Sequence, residues 1–354
     1  MSAGNDGNGD NGVTRGRQSA VPTGRVGRFA RVARLTAGVA GGMLAEGTRQ
    51  WRAGNRPRRR DLLLTPGNAK RVADQLADMR GAAMKLGQIL SMDNGDMLPR
   101  ELADILGRLR SDASAMPDAQ LDVAMTEAYG ADWESLFSEF DRYPIAAASI
   151  GQVNRAVDHD GRELALKIQY PGVADSIRSD VDNIATVLRM SGLLPADVDM
   201  TPLLEDAKAQ LEDEADYNKE AKFLKSFHDV LADDERFIVP ELHDELTRRN
   251  VLAMSYVAGG PIEELARKPQ AERDRVMTAL VELMLTELFE LRLVQTDPNF
   301  ANYQYRFATG DIVLLDFGAT RAFKARFVTN YRKLAAAAIK GDRRRMVEAA
   351  EKVG

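Results

Sequence analysis

The chain contains no cysteine. Disulfides, zinc–thiolate centres and thiol nucleophiles are thereby excluded. Long apolar runs are missing as well: no stretch reaches the roughly 18–20 residues that a membrane-crossing helix needs. The best candidate, Leu35 to Leu44, is short and glycine-rich. It suits contact with a bilayer rather than passage through one. Nor is there an overall basic excess. A net charge of −5 argues against a general nucleic-acid binder. The first residues, Met1 to Gly12, are rich in Gly, Asn and Asp and read as disordered. They lack the charged start and apolar core of a secretory signal.

Acid is scarce in one region only. Residues 1–60 hold Asp6, Asp10 and Glu46 against twelve arginines, the last of them the run Arg58-Arg59-Arg60. A basic arm beside a short apolar piece suits an anionic membrane surface, or else a solvated tail. Its Arg-rich, acid-poor character after residue 13 also has something of a transit peptide.

With 354 residues and 44% hydrophobic content, the chain can hold one large two-lobed domain or two ordinary ones. Four regions are expected: the arm 1–60, a helical region 61–140, a mixed region 141–258, and a mostly helical region 259–354. In the second, Val72, Leu76, Met79, Ala83, Leu86 and Leu90 share one helix face, with Asn68 as a cap. Helices are also expected over 100–110 and 118–129, with Trp133, Leu136 and Phe137 packing this region onto the next. In the third region, strands are expected from Ala148 to Val157 and Glu163 to Ile168, joined by the turn Asp158-His159-Asp160-Gly161. A long helical stretch follows from Ile177 to about His228, broken near Gly192 and Pro195. Short strands are expected at 237–240 and 251–254, before the break at Gly259-Gly260-Pro261. In the last region Val281, Leu285, Leu288 and Leu291 form the expected buried stripe of a helix, and 312–315 a strand.

Chemistry concentrates in two stretches. Asp297 is followed five positions later by Asn302, and Asp316-Phe317-Gly318 begins 14 positions after that. Protein kinases use this series to hold Mg²⁺ on the phosphates of ATP. Hard cations want carboxylate and amide oxygens, and Mg²⁺ takes one or two carboxylates plus phosphate. Three further kinase parts precede it in the right order. Ala146-Ala147-Ala148-Ser149-Ile150-Gly151-Gln152-Val153 aligns with the glycine-rich loop, alanines replacing the first two glycines. Alanine avoids the positive φ angles open to glycine, so this loop is expected to be stiffer. Lys167, 14 positions after Val153, matches the strand lysine that contacts the α- and β-phosphates. The acid-rich run 212–220 offers several carboxylates to hold that lysine, and spacing does not choose among them.

Together with Lys85-Leu86-Gly87-Gln88, Lys167 to Val173, Glu214-Ala215-Asp216-Tyr217, Gln295 to Asn299 and Leu315 to Arg321, these motifs make the sequence resemble the UbiB (AarF-domain) family of atypical kinases. Within it, the chain looks most like the mitochondrial-type branch that supports coenzyme Q biosynthesis. The resemblance covers residues from about 66 to 354.

It implies an α+β, protein-kinase-like two-lobed fold with an N-terminal helical extension. Residues 141–258 would form the N-lobe and 259–354 a short or truncated C-lobe, since only 36 residues follow Gly318. Lys167 would pair with Glu220 and contact phosphates, and Asp297 would stand in the catalytic-base position. Asn302 and Asp316 would bind Mg²⁺. Ala146, Ala147, Ala148, Ser149, Gly151, Val153, Ser255 and Val257 would surround ATP, the alanines limiting nucleotide binding and self-phosphorylation. Lys85, Gly87 and Gln88 would lie in a lid over the site, near Glu214 and Asp216.

The implied activity is ATP hydrolysis supporting ubiquinone biosynthesis at a membrane, protein phosphorylation in trans being doubtful. Implied partners are anionic lipids and quinone-pathway isoprenoid intermediates or enzymes, with no nucleic acid. The implied location is peripheral, on the cytoplasmic face of a bacterial inner membrane or the matrix side of the mitochondrial one. A nucleotide-gated lipid-binding scaffold is the alternative from another class. A small-molecule kinase shares Asp-x4-Asn, but the Lys-x-Gly-Gln helix would obstruct its substrate. Gln295 stands where kinases carry His, as it does in the coenzyme Q branch. Thr296 replaces the Arg that reads a phosphorylated activation loop, so such switching is not expected.

Overall fold

The hairpin around Asp158 sets the pattern of the first sheet. The Asp158 carboxylate accepts the backbone N–H groups of Asp160 (2.9 Å) and Arg162 (2.8 Å), and Gly161 takes a positive φ of 81°. An Asp whose side chain mimics the turn, followed by a residue free to go left-handed, closes two strands tightly. The computed structural model describes residues 115–190 and 201–353, which fall into two compact units. One comprises residues up to Tyr217 together with Leu246–Ala253, the other Asn218–Glu245 together with Met254–Gly354.

The first unit begins with helix α1 (Asp118–Tyr129), bounded as its sequence pattern indicates, and a 3₁₀ turn (Trp133–Leu136). Strands β1 (Glu139–Ala147), β2 (Gly151–Val157) and β3 (Glu163–Gln169) form an antiparallel meander, and β5 (Val251–Ser255) completes the sheet beside β3, in the order β1-β2-β3-β5. Only the first three residues of β5 belong to this unit. Strand β1 was not expected from the sequence. It carries Pro144, and its pairing with β2 slips on either side of that residue, as a missing ladder N–H requires. The strand expected to start at Ala148 starts instead at Gly151, because Ala146 and Ala147 belong to β1 and pair with Val153 and Gln152.

Leu121, Met125, Trp133 and Phe137 bury against Ala156, Leu164, Leu166 and Ile168 of the sheet. Trp133 meets Phe140 edge-on at 4.9 Å between ring centres. Leu136, expected to pack with them, is exposed.

Among the described residues the long helical stretch holds α2 (Val173–Met190), α3 (Thr201–Glu214) and α4 (Tyr217–Leu231). The expected break near Gly192 and Pro195 lies outside the described residues. A second break, between Glu214 and Tyr217, has a physical cause in this unit. The Gln169 side chain donates to the Ala215 carbonyl (2.8 Å), and the Tyr217 N–H donates to the Arg249 carbonyl (3.2 Å). Sheet-end groups thus satisfy the backbone that a continuous helix would have paired internally.

In the second unit, β4 (Phe237–Ile238), β6 (Gly260–Pro261), β8 (Tyr303–Tyr305) and β9 (Ile312–Leu314) form a small sheet in the order β4-β9-β8-β6. Strands β7 (Leu293–Gln295) and β10 (Thr320–Ala322) pair separately. Helix α5 (Gln270–Thr286) runs into a π-turn (Glu287–Leu291), and Arg292 then takes a left-handed φ of 58°. Helices α6 (Ala325–Ile339) and α7 (Arg343–Val353) form a hairpin turned at Gly341.

The buried face of α5 is not the expected one. Val276, Ala279, Leu283 and then Glu287 are buried, whereas Val281 and Leu285 are exposed and Leu288 and Leu291 half-buried. Helical spacing finds apolar faces, and α5 has two; packing selects the one that ends in an acid.

Candidate functional site

Within the first unit, the turn between β1 and β2 places the alanine-rich loop. Its irregular part is Ala148–Ile150, closed by the Ala148 N–H donating to the Gly151 carbonyl (2.9 Å). Gly151 cannot carry a side chain here: a Cβ would stand 2.1 Å from the Ile168 carbonyl oxygen of β3. Val153 lies directly opposite Lys167 in the ladder. Both faces of β3 are covered, so Lys167 is only 8% exposed, and its Nζ sits 5.3 Å from the Tyr217 ring centre. The negative face of the ring attracts the ammonium there. At the end of α3 the Glu214 carboxylate accepts from the Ser149 hydroxyl (3.3 Å), so the loop is tied to the Glu-x-Asp segment. Glu214 and Asp216 are both half-buried there.

The second unit holds the other group. The Asn302 side chain donates Nδ2 to the Asp297 carbonyl (3.0 Å), and the Leu315 N–H donates to the Asn302 carbonyl (3.0 Å). These two bonds bring the Asp297 loop beside the Asp-Phe-Gly segment. Asp316 Oδ1 accepts the Gly318 N–H (2.9 Å). Glu220 of α4, buried, accepts the Phe317 N–H through Oε1 (3.4 Å), and Phe317 packs on Phe227 of the same helix at 5.0 Å. Ser255 uses its hydroxyl to accept the Glu241 N–H (2.8 Å), at the start of the segment that carries Val257, itself half-buried.

Gln295 and Thr296, just before Asp297, organise this group. Gln295 accepts the Asp297 N–H through Oε1 (2.9 Å) and donates Nε2 to the Asp316 carbonyl (3.3 Å). Thr296 donates both its N–H (3.2 Å) and its hydroxyl (2.7 Å) to the Ala319 carbonyl. The residue in place of the usual arginine therefore fastens the loop to the chain just after Asp-Phe-Gly. Sequence reading missed that role, since it noted Thr296 only as a substitution. It also missed Glu287, which accepts the Gln295 N–H (3.0 Å).

Asn302 and Asp316 fit Mg²⁺ bound with phosphate. Asn302 spends its amide nitrogen on Asp297, which turns the amide oxygen to ligation, and Asp316 adds one carboxylate. One amide and one carboxylate leave most of an octahedral shell to phosphate and water, as Mg²⁺ prefers.

Each unit thus assembles its own share of the expected site residues. Lys167, the alanine loop and Glu214 come together in one, and Glu220, Asp297, Asn302 and Asp316 in the other. Lys85, Gly87 and Gln88 lie outside the described residues, as do the basic arm and the helix expected after Asn68.

Residues 108–350 match the ABC1 atypical kinase-like domain family. The chain belongs to this family. Two curated relatives are the mitochondrial atypical kinases coq-8 of Caenorhabditis elegans and COQ8 of Saccharomyces cerevisiae. The first is 39% identical over 97% of this chain and 46% of its own length; the second is 38% identical over 96% and 68%. The chain therefore spans about half to two-thirds of the length of these relatives. Among solved structures, Rv3197 of Mycobacterium tuberculosis, determined in complex with erythromycin, is 28% identical with a TM-score of 0.57 over 79% of this chain and 71% of that one. The family assignment and this likeness agree with the α+β, kinase-like fold read from the motifs.

Proposed function

We propose that the protein binds Mg²⁺–ATP and hydrolyses it in support of ubiquinone biosynthesis at a membrane surface. The observation that carries this reading is the bonding of Asp297, Asn302 and Asp316 into one group through Gln295 and the Asn302 backbone. The relatives named for coenzyme Q point to the pathway.

Lys167 would hold the α- and β-phosphates as a cation already enclosed by its sheet and the Tyr217 ring. Asn302 and Asp316 would hold the metal. When bound, Mg²⁺ neutralises charge on the phosphate oxygens. Asp297, its backbone fixed from both sides by Gln295 and Asn302, would orient the attacking water and accept its proton. Fixing a group in advance spares the entropy of ordering it during reaction. Glu220 would steady the Asp-Phe-Gly segment by holding the Phe317 N–H. Among the described residues no helix is long and apolar enough to cross a membrane. Contact with the bilayer would be peripheral, through the arginine-rich residues 1–60, which are suited to an anionic surface.

The test is ATP turnover by the full chain with and without vesicles. Vesicles containing anionic lipid should raise the rate and purely zwitterionic ones should not, with Asp316→Asn as the inactive control. Turnover in Asp316→Asn equal to the parent would remove the nucleotide reading, and equal rates with both vesicle types would remove the membrane one.

A further inference from the structure

Glu287 opens the π-turn after α5 and is 5% exposed. Burying a carboxylate is costly, and a chain that keeps one in place of an apolar residue gains something specific from it. Its Oε2 accepts the Gln295 N–H at 3.0 Å. Gln295 then reaches both functional segments, accepting from the Asp297 backbone and donating to the Asp316 carbonyl. The backbone around Glu287 is fastened at further points. Arg332 of α6 donates to the Phe289 carbonyl (2.6 Å), and the Phe323 N–H donates to the Arg292 carbonyl (2.8 Å). The acid is thus mounted on a turn that α6 and the chain after β10 hold still.

We propose that Glu287 is the positioning residue of the Asp297 loop: by gripping the Gln295 N–H from behind, it sets Gln295, and through it the backbones of Asp297 and Asp316. This rests on the reading of that loop as catalytic.

Burial raises the Glu287 carboxyl from 4.5 to about 7, the Gln295 N–H pulling the other way. Near neutrality it is therefore shared between charged and neutral forms. The titratable neighbour facing it is Tyr303 of β8. Burial, with the charges of Glu287 and Asp297, pushes its hydroxyl up to about 12, so it stays neutral. A carboxylate grips an N–H more firmly than a neutral carbonyl does, so the grip tightens as pH rises through neutrality.

The experiment compares the full chain with Glu287→Gln, Glu287→Leu and Glu287→Asp. Two readouts are taken: hydrogen exchange in peptides spanning 293–299, and ATP turnover. Glu287→Gln keeps an acceptor in place, and its exchange and kcat should stay within about threefold of the parent, without the gain in kcat as pH rises through 7. Glu287→Leu removes the acceptor. It should speed exchange about tenfold or more and lower kcat by about the same factor, while the KM for ATP moves less than about threefold. Should the Leu variant fail to fold, Glu287→Asp, which keeps the charge but withdraws it by one methylene, should show the same loosening. Unchanged exchange over 293–299 in Leu or Asp would overturn the proposal. So would a kcat that falls only as the folded fraction falls. If the parent turns over no ATP, the functional reading fails by itself, and exchange alone still decides whether Glu287 holds the loop.

Discussion

Gly151 offers the sharpest perturbation in the alanine-rich loop. A methyl group there would stand 2.1 Å from the Ile168 carbonyl oxygen, 2.9 Å from its carbon and 3.1 Å from the Gln169 Cα, all backbone. Ordinary contact begins near 3.4 Å, so something must retreat by more than 1 Å. No flexible side chain can do so. The retreating element would be β2 or β3, at the Gly151↔Gln169 and Gln152↔Ile168 pairs. Overpacking costs about 1–3 kcal/mol where neighbours adjust, and each ladder bond lost adds about 1 kcal/mol. Gly151→Ala should therefore destabilise the first unit by about 3 kcal/mol or more. Trp133, buried in that unit's core, reports its unfolding by fluorescence once the only other tryptophan, Trp51, is replaced by Phe. An unfolding free energy within about 0.5 kcal/mol of the parent would refute the reasoning, because that is the scatter of an innocuous surface change. Gly161→Ala is a useful contrast: open space surrounds that position, and only its φ of 81° resists a side chain, so a cost of about 1 kcal/mol is expected.

Glu287 gives stability a pH signature. Its carboxyl lies at about 7 in the folded protein and 4.5 otherwise. Below 4.5 both states keep the proton and no penalty exists. Between the two values the unfolded chain releases it while the folded one retains it, so stability falls as pH rises. Above 7 the full penalty, about 3 kcal/mol, is present. Glu287→Gln should thus gain up to about 3 kcal/mol over the parent at pH 8 and nothing at pH 4, and parallel stability–pH curves would contradict this. The two faces of α5 should also separate by mutation. Leu283→Ala, at 4% exposure, should cost about 2–4 kcal/mol, and Leu285→Ala, at 43%, less than about 1 kcal/mol. Chemical denaturation of the pair checks it, and equal costs would restore the stripe read from the sequence.

Local chemistry was legible where it acts within a few residues. The turn at Asp158 to Gly161, helix 118–129, and the short strands near 237, 251 and 312 all follow from caps, turn residues and β-branched runs. The Asp297, Asn302 and Asp316 spacing was legible because it follows a short motif of fixed intervals. Non-local choices were not. Strand β1 holds Pro144 and few β-branched residues, and exists because β2 offers it a partner. The break before Tyr217 depends on Gln169 and Arg249, remote in sequence. Glu287 escaped notice because an acid eight positions before Gln295 belongs to no motif. Its one signal is that it continues the face of Val276, Ala279 and Leu283, a pattern visible only after the buried side of the helix is known. Thr296 shows the same limit: a departure from a motif reads as a loss until its bonds to Ala319 are seen.

The central claim is that Asp316 and Lys167 act on ATP, and phosphate release tests it most directly. At saturating Mg²⁺–ATP, the full chain should release phosphate, and Asp316→Asn and Lys167→Arg should each release it at least about a hundredfold more slowly while remaining folded. Equal release by the parent and both variants would contradict the account.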